Sequence, residues 1–424
     1  MRKLTAEERC GLLLEMSRRS RGTLDLEETL GRLLDSAGAV VEYDAAGVFA
    51  LADDLYPVRA RPEGKIAGVV RRGFLVRPVS EDAMLRSGAG IVGAAIASGE
   101  TVAVPDVRLD PRYVVGREET LSEVAVPIRV DGRTIAALNM EFDRVAAFDE
   151  RDVELLEFLA EAAALAIEKA MLHRHLLDRE QLEAQLRIAR DVQVGLLPRA
   201  APRVEGYDVA AVCLPSLELG GDCYDFFPLA GGRLGFVIGD VAGKGVPAAL
   251  TMATFRALLR ARRETGPGLS GTMEAVSRLL RESSGPRSFV TAVFAALEPA
   301  TGRLDYVGAG HPPGVVTRAD GRTEELSNCG PVLGVFDEAA YVERSTTLHP
   351  GDQVMLYTDG LVEERNAAGE QFGIERVRAV LGATLSRPAA EVAEELVREV
   401  RGFCASPQLA DDLTLVLLRR MPTA

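Results

Sequence analysis

Four aspartate-bearing motifs, each set where an apolar run gives way to glycine, constrain this chain more than any other feature of its sequence. They are Gly220-Gly-Asp-Cys-Tyr-Asp225, Gly239-Asp-Val-Ala-Gly-Lys-Gly245, Tyr357-Thr-Asp-Gly360 and Asp411-Asp-Leu-Thr414. A lone Gly-Asp pair usually makes a surface turn. Repeated at the ends of buried-looking strands, such pairs point into a shared cleft, where glycine lets the backbone approach a ligand closely. Carboxylates converging in one cleft repel one another strongly unless cations neutralise them. Hard oxygen donors select Mg2+ or Mn2+, and four carboxylates balance two divalent ions. No usable histidine or cysteine cluster offers zinc or iron a better site.

The bulk numbers bound the rest. A chain of 424 residues exceeds one ordinary core, and its length suggests about two to three domains. A net charge of -14 argues against nonspecific binding to nucleic acid or anionic membrane, which needs basic surface. Cys10, Cys213, Cys223, Cys329 and Cys404 are scattered and odd in number, so reduced thiols are expected, with neither a disulfide framework nor a zinc site. The first ten residues carry acidic side chains where a signal peptide needs apolar ones. No apolar run approaches the roughly 20 residues of a membrane helix. A soluble, cytoplasmic protein is expected.

Along the chain, residues 1 to about 36 read as helical. Short strand-like runs follow, and Ser122–Val130 and Thr134–Phe142 flank Asp131-Gly132 as a hairpin. From Phe148 the pattern returns to helix, with Asp149 as cap, and no breaker appears before Pro198. One long helix, or two nearly collinear ones, is expected. Leu165, Leu172, Leu176, Leu182, Leu186, Ala189 and Leu196 form an imperfect coiled-coil seam, which suggests a homodimer through this segment and the domain before it. After Pro202, strands near 208–213, 234–241, 289–297, 304–307, 353–357 and 413–418 alternate with helices near 247–263, 272–282 and 389–403. That pattern fits an α+β layered sandwich.

The first domain, residues 15–175, resembles the GAF family of sensory modules. The likeness rests on the run from Gly90-Ile-Val-Gly to Val104-Pro-Asp-Val107, on Ser122-Glu-Val-Ala-Val-Pro-Ile before the hairpin, and on Phe148-Asp-Glu-Arg-Asp-Val-Glu-Leu-Leu. It implies a small-molecule or protein signal without naming one. No cysteine lies between Cys10 and Cys213 and no histidine precedes His173, which disfavours a thioether-linked bilin, an iron–sulfur cluster and a histidine-ligated haem. Met140 after Asn139 departs from the cyclic-nucleotide-binding signature.

Residues from about 185 to 420 resemble the SpoIIE-like, RsbU-type branch of the type-2C metal-dependent protein phosphatases. Besides the four acidic motifs, the likeness rests on Ala189-Arg-Asp-Val-Gln193, Leu196-Leu-Pro198, Phe289-Val-Thr-Ala292 and Ala309-Gly-His-Pro-Pro313. Together the two resemblances imply an N-terminal GAF domain, a helical linker over 176–198 and an α-β-β-α phosphatase sandwich over 199–420. Asp240 then resembles the carboxylate bridging two Mn2+ or Mg2+ ions, with the Val241 carbonyl as a further ligand. Asp222 is similar to the acidic ligand of one metal, and Asp359 and Asp411 to ligands of the other. Asp412 is the alternative to Asp411, and Asp225 a candidate behind the ligands. Asp240 and Asp359 are the residues on which catalysis would rest.

The implied reaction is hydrolysis of phosphoserine or phosphothreonine on a signalling partner, an anti-sigma-factor antagonist, by a metal-activated water under GAF control. Eukaryotic relatives carry a histidine where Ala242 stands, so the leaving-group acid is unassigned. His311 is the substitute by residue type, against a histidine buried to shape a turn. Lys244 suits either substrate phosphate or a solvated loop. The alternative from another class is a noncatalytic partner-switching module that binds its target without hydrolysis.

Overall fold

Period-two alternation sends successive side chains of the central strands to opposite buried layers, and that alternation decides where the acidic residues point. The computed structural model describes residues 26–38, 41–51, 66–74, 88–263, 268–283, 288–327 and 330–422. The helical reading of 1–25, and Cys10 and Cys329, lie outside the described residues. The chain divides into two compact units, Met1–Gln181 and Leu182–Ala424.

In the first unit, helix α1 (Leu26–Ala37) precedes strands β1 (Ala45–Leu51) and β2 (Ile66–Arg72), helix α2 (Gly90–Ser98), and strands β3 (Val102–Val104), β4 (Ser122–Val130) and β5 (Arg133–Phe142). The strands form one sheet in the order β2-β1-β5-β4-β3. The expected hairpin is present: Val130 pairs with Arg133, and Asp131 and Gly132 both take positive φ, the backbone of a type I′ turn. Val124, Val126, Leu138 and Met140 face α1 and the long helix α3 (Glu150–Leu196), while Ala125 and Ala137 face Ile91 and Ile96 of α2.

Helix α3 is continuous, as the absence of a breaker suggests. Its start is capped by Asp149, whose Oδ1 accepts the amides of Arg151 and Asp152 while Asp152 Oδ2 accepts that of Asp149. Leu155, Leu156, Leu159, Ala163 and Ile167 pack into the first core. Beyond them Leu172, Leu176 and Leu182 are more than half exposed.

The second unit is a four-layer sandwich. One sheet runs β13 (Arg344–Thr347), β10 (Arg303–Ala309), β9 (Val290–Glu298), β8 (Arg233–Val241), β7 (Cys223–Leu229). The other runs β12 (Thr323–Glu325), β11 (Val315–Thr317), β14 (Gln353–Tyr357), β15 (Leu413–Arg420), β6 (Tyr207–Leu214). Phe236, Ile238, Val354, Leu356, Val416 and Leu418 interdigitate between the sheets. The outer face of the first sheet packs on α4 (Val246–Arg262) and α5 (Gly268–Ser283). That of the second packs on α7 (Ile374–Ala383) and α8 (Ala389–Phe403), which follow the single turn α6 (Gly360–Glu363). The α+β expectation therefore holds, with an N-terminal GAF-type sheet domain and a C-terminal α-β-β-α sandwich. Among the described residues no helix is long and apolar enough to cross a membrane.

Candidate metal centre

Residues 236, 238 and 240 share one face of β8, so Asp240 continues at the strand's end the face that Phe236 and Ile238 bury between the sheets. On β7 the paired register Cys223–Gly239 sets Asp222 beside Asp240, on the face of Tyr224 and Phe226. Thr358 continues the Val354–Leu356 face of β14, and Thr414 and Asp412 continue that of β15. Both sheets thus deliver acidic or hydroxyl side chains to the same mouth.

Hydrogen bonds tie the two edges together. Thr358 Oγ1 donates to Asp222 Oδ2 at 2.7 Å and accepts the Thr414 amide at 2.9 Å. Asp412 closes the neighbouring loop. Its Oδ1 accepts the amide and hydroxyl of Ser216 at 2.7 and 3.0 Å, and its Oδ2 the Gly221 amide at 2.6 Å. Gly221 is there because an added Cβ would stand 2.8 Å from the Val241 carbonyl oxygen, which therefore faces the Asp222 loop. Gly360 is equally forced: its Cβ would meet the Asp412 carbonyl at 2.0 Å.

The electrostatics report the crowding. Burial, then Asp359, Asp411 and Asp412 in that order, push the Asp240 carboxyl up to about 7. Asp222 lies well above the ordinary carboxylate range through burial and then Asp240. Asp359 is raised by burial, Asp411 and Glu363, with the Gly360 amide and Lys244 opposing. Lys244 Nζ pairs with Asp411 Oδ1 at 3.1 Å and donates to the Ala410 carbonyl at 2.6 Å. Carboxylates from separate motifs are therefore mutual neighbours.

Among the described residues no three Asp, Glu, His or Cys side chains already stand close enough to enclose an ion. The donor chemistry nonetheless fits hard divalent cations: oxygen atoms only, in crowded carboxylates whose repulsion only positive charge relieves. Asp222, Asp240, Asp359, Asp411, Asp412 and the Val241 carbonyl carry the oxygens of this mouth. Asp412 accepts hydrogen bonds from the 216–222 loop, whereas Asp411 is half exposed beside Lys244; both act on Asp240.

Asp225 departs from its expectation, whereas His311 takes the buried, hydrogen-bonded place that was the favoured reading. Asp225, three residues after Asp222, falls on the opposite face of β7, where Arg256 and Arg260 of α4 hold it at 2.9 and 2.6 Å, away from the acidic mouth. His311 is buried, its Nδ1 sharing a hydrogen bond of 2.8 Å with Thr291 Oγ1 beside Asp240 in the sheet register. Burial lowers its pKa to about 4, which leaves a neutral ring at physiological pH and a poor proton donor. Cys223 is buried, and desolvation followed by Asp222 raises its thiol pKa far from nucleophilic readiness. Sequence reasoning did not single out Thr358 and Ser216, although Thr358 sits inside a quoted motif one residue from Asp359.

A layered sandwich whose two central sheets present carboxylates at one edge is the architecture of the type-2C phosphatases. Comparison with known proteins agrees. Residues 230–421 match the family described as Stage II sporulation protein E (SpoIIE), and residues 23–168 match the GAF domain. The chain thus carries a GAF-type segment followed by a SpoIIE-type segment, each matching its family over less than half of the chain. It is 29% identical over 263 residues to Protein IcfG of Synechocystis sp., covering 56% of this chain but only 41% of that one. It is 29% identical over 247 residues to Phosphoserine phosphatase RsbU of Bacillus subtilis, covering 57% of this chain and 71% of RsbU. The SiaA-PP2C domain of Pseudomonas aeruginosa shares the fold, with a TM-score of 0.51 at 23% identity over 57% of this chain and 98% of that domain.

Proposed function

We propose that this protein hydrolyses phosphoserine or phosphothreonine esters on a partner protein, with Asp222, Asp240, Asp359, Asp411 and the Val241 carbonyl as the ligands of two Mn2+ or Mg2+ ions. The observation that carries the reading is geometric: both central sheets bring carboxylates of separate motifs to one mouth, where Thr358 at the end of β14 donates to Asp222, the neighbour of Asp240 in the β7–β8 register. When bound, the cations would supply charge neutralisation, an activated water and a clamp on the phosphoryl oxygens. Thr358 orients Asp222 by donating to Oδ2, which opposes the rise that burial causes, and Asp412 holds the loop that carries Asp222. Lys244 sits at the rim, where its ammonium can move from Asp411 to an incoming phosphate. No side chain of the described residues stands out as the leaving-group acid, and His311 is too acidic for that role.

The similarity to RsbU, a phosphoserine phosphatase, supports a phosphorylated protein as substrate, and an anti-sigma-factor antagonist is the class we infer. We assign sensing to 15–175, transmission to 176–198 and hydrolysis to 199–420, in a cytoplasmic homodimer. The test is Mn2+-dependent release of phosphate from a phosphoserine peptide. Asp240→Ala or Asp359→Ala is expected to reduce it more than about 100-fold, since even partners behind a metal ligand are worth 10–100-fold. A wild-type protein that binds the phosphopeptide but releases no phosphate with Mn2+ would instead be a noncatalytic module.

A further inference from the structure

Glu364 directly follows the single turn α6, which opens just after Asp359, and its residue is only 4% exposed. A carboxylate taken out of water is costly unless its oxygens find donors. Its donors all belong to the loop between α8 and β15. Oε1 accepts the Ala410 amide at 2.6 Å and the Asp411 amide at 3.4 Å, and Oε2 accepts the Cys404 thiol at 3.4 Å. The short bond from Ala410 is the strong one, a charge-assisted bond in a buried place.

The two sides of this contact are held very differently. Leu361 and Phe372 are buried in the core beneath α7 and α8, and the Phe372 amide donates to the Glu364 carbonyl at 2.8 Å. Glu364 therefore stands on fixed ground. The loop does not: Ala405 to Gln408 and Ala410 are exposed, and only Leu409 leans on the core. An exposed segment with so little apolar packing takes its place from its hydrogen bonds. The Arg365 carbonyl accepts the Ala405 amide at 3.1 Å, so residues 364 and 365 hold the loop near both of its ends. Gln408 Nε2 adds a bond of 3.1 Å to the Ser216 carbonyl.

We propose that Glu364 is a positioning residue, which sets Asp411 relative to Asp359 by carrying the 404–411 loop on its carboxylate. The inference rests on the reading of Asp359 and Asp411 as ligands of one cation. Glu364 stands five residues after the first and accepts the backbone amide of the second. One short stretch of chain thus bears one acid and holds the loop of the other. Both Glu364 oxygens are directed at the loop, so its contribution is reach, not negative charge offered to the cations.

The experiment compares the full-length wild type with Glu364→Ala, Glu364→Asp and Glu364→Gln. Hydrogen exchange of the metal-free protein, read by mass spectrometry on peptides spanning 404–412, reports the loop. Calorimetric titration with MnCl2 reports the site. Glu364→Gln keeps the length and an acceptor for the Ala410 amide, whereas Glu364→Asp keeps the charge but is one methylene short. In Glu364→Ala and Glu364→Asp the loop should exchange about tenfold faster. Their Kd for Mn2+ should weaken about 10-fold, in the range for partners behind a metal ligand, with Glu364→Gln within about twofold of wild type. The reverse order, with Glu364→Gln weakened and Glu364→Asp normal, overturns the proposal in favour of a purely electrostatic role. Faster exchange with unchanged Mn2+ affinity overturns it too, leaving a bond that only stabilises the loop. Should Glu364→Ala fail to fold, the contrast between the other two variants decides alone. A wild type that binds no Mn2+ refutes the metal reading and this role with it, whereas Mn2+ binding equal in all four proteins refutes this role alone.

Discussion

Gln193 and Gly220 exchange two hydrogen bonds: the side-chain Nε2 donates to the Gly220 carbonyl at 2.6 Å, and the Gly220 amide returns to Oε1 at 3.2 Å. Gln193 belongs to the last turn of α3, and Gly220 stands two residues before Asp222. The end of the long helix is thereby fastened to the loop that presents a proposed metal ligand. Any rotation of that turn would move Asp222, which gives the proposed GAF control a physical route. Gln193→Ala should weaken Mn2+ half-saturation by about 10-fold, in the range for partners behind a metal ligand, with a smaller change in kcat at saturating Mn2+. Kinetics indifferent to this change would remove the route.

The adjacent acids Asp411 and Asp412 should separate cleanly under mutation. Asp412→Ala leaves the Ser216 and Gly221 amides without their acceptor, at a cost of about 2–4 kcal/mol for charge-assisted hydrogen bonds lost in a buried loop. Asp411→Ala touches a half-exposed group and should change stability by less than about 1 kcal/mol while weakening Mn2+ binding strongly. Urea unfolding and Mn2+ titration of both variants check this. Equal stability loss in the two would contradict the division of labour.

Metal-stripped protein should lose stability as pH rises. Asp240 holds its proton to about 7 in the folded chain against an ordinary value of 3.8, so the folded state binds more protons throughout that interval. Stability is then greatest below the lower value and falls through the window. His311, lowered to about 4, works in the opposite direction up to its ordinary 6.5. The informative quantity is therefore the difference between wild type and Asp240→Asn, measured as urea midpoints in EDTA from pH 4.5 to 8. The variant should gain on the wild type steadily across that range, and Mn2+ should reverse the order at pH 8. A constant difference would mean that Asp240 is not crowded.

The proposed homodimer places Leu172, Leu176 and Leu182, each more than half exposed on α3, against a second copy. Leu176→Glu combined with Leu182→Glu should shift the sedimentation coefficient from dimer to monomer without altering the folded helix signal. A wild type that sediments as a monomer at micromolar concentration would rule the assembly out.

Much of the fold could be read locally. The Asp131-Gly132 turn, the capped and unbroken α3 and six of the ten strands of the two central sheets follow from alternation, turn chemistry and the absence of breakers. Strand β7 was missed because its Cys-Tyr-Asp-Phe-Phe-Pro-Leu run carries a charge and a proline, and its burial comes from both neighbouring layers. The short strands β11 to β13 carry too few residues to show a period.

The acids divide the same way. Asp222 and Asp240 fall on the inter-sheet face by the parity of their own strands, and the same parity sends Asp225 to the helix layer. Its partners Arg256 and Arg260 lie more than thirty residues away, beyond any local signal. The separate fates of Asp411 and Asp412 depend on Ser216 and Gly221, nearly two hundred residues distant.

Crystals soaked in Mn2+ and measured at the manganese absorption edge test the central claim most directly. Two anomalous peaks about 3.5–4 Å apart, ringed by Asp222, Asp240, Asp359 and Asp411 with Asp412 uninvolved, are the expected result. Peaks elsewhere, or those carboxylates turned toward separate solvent regions with no manganese between them, would contradict it.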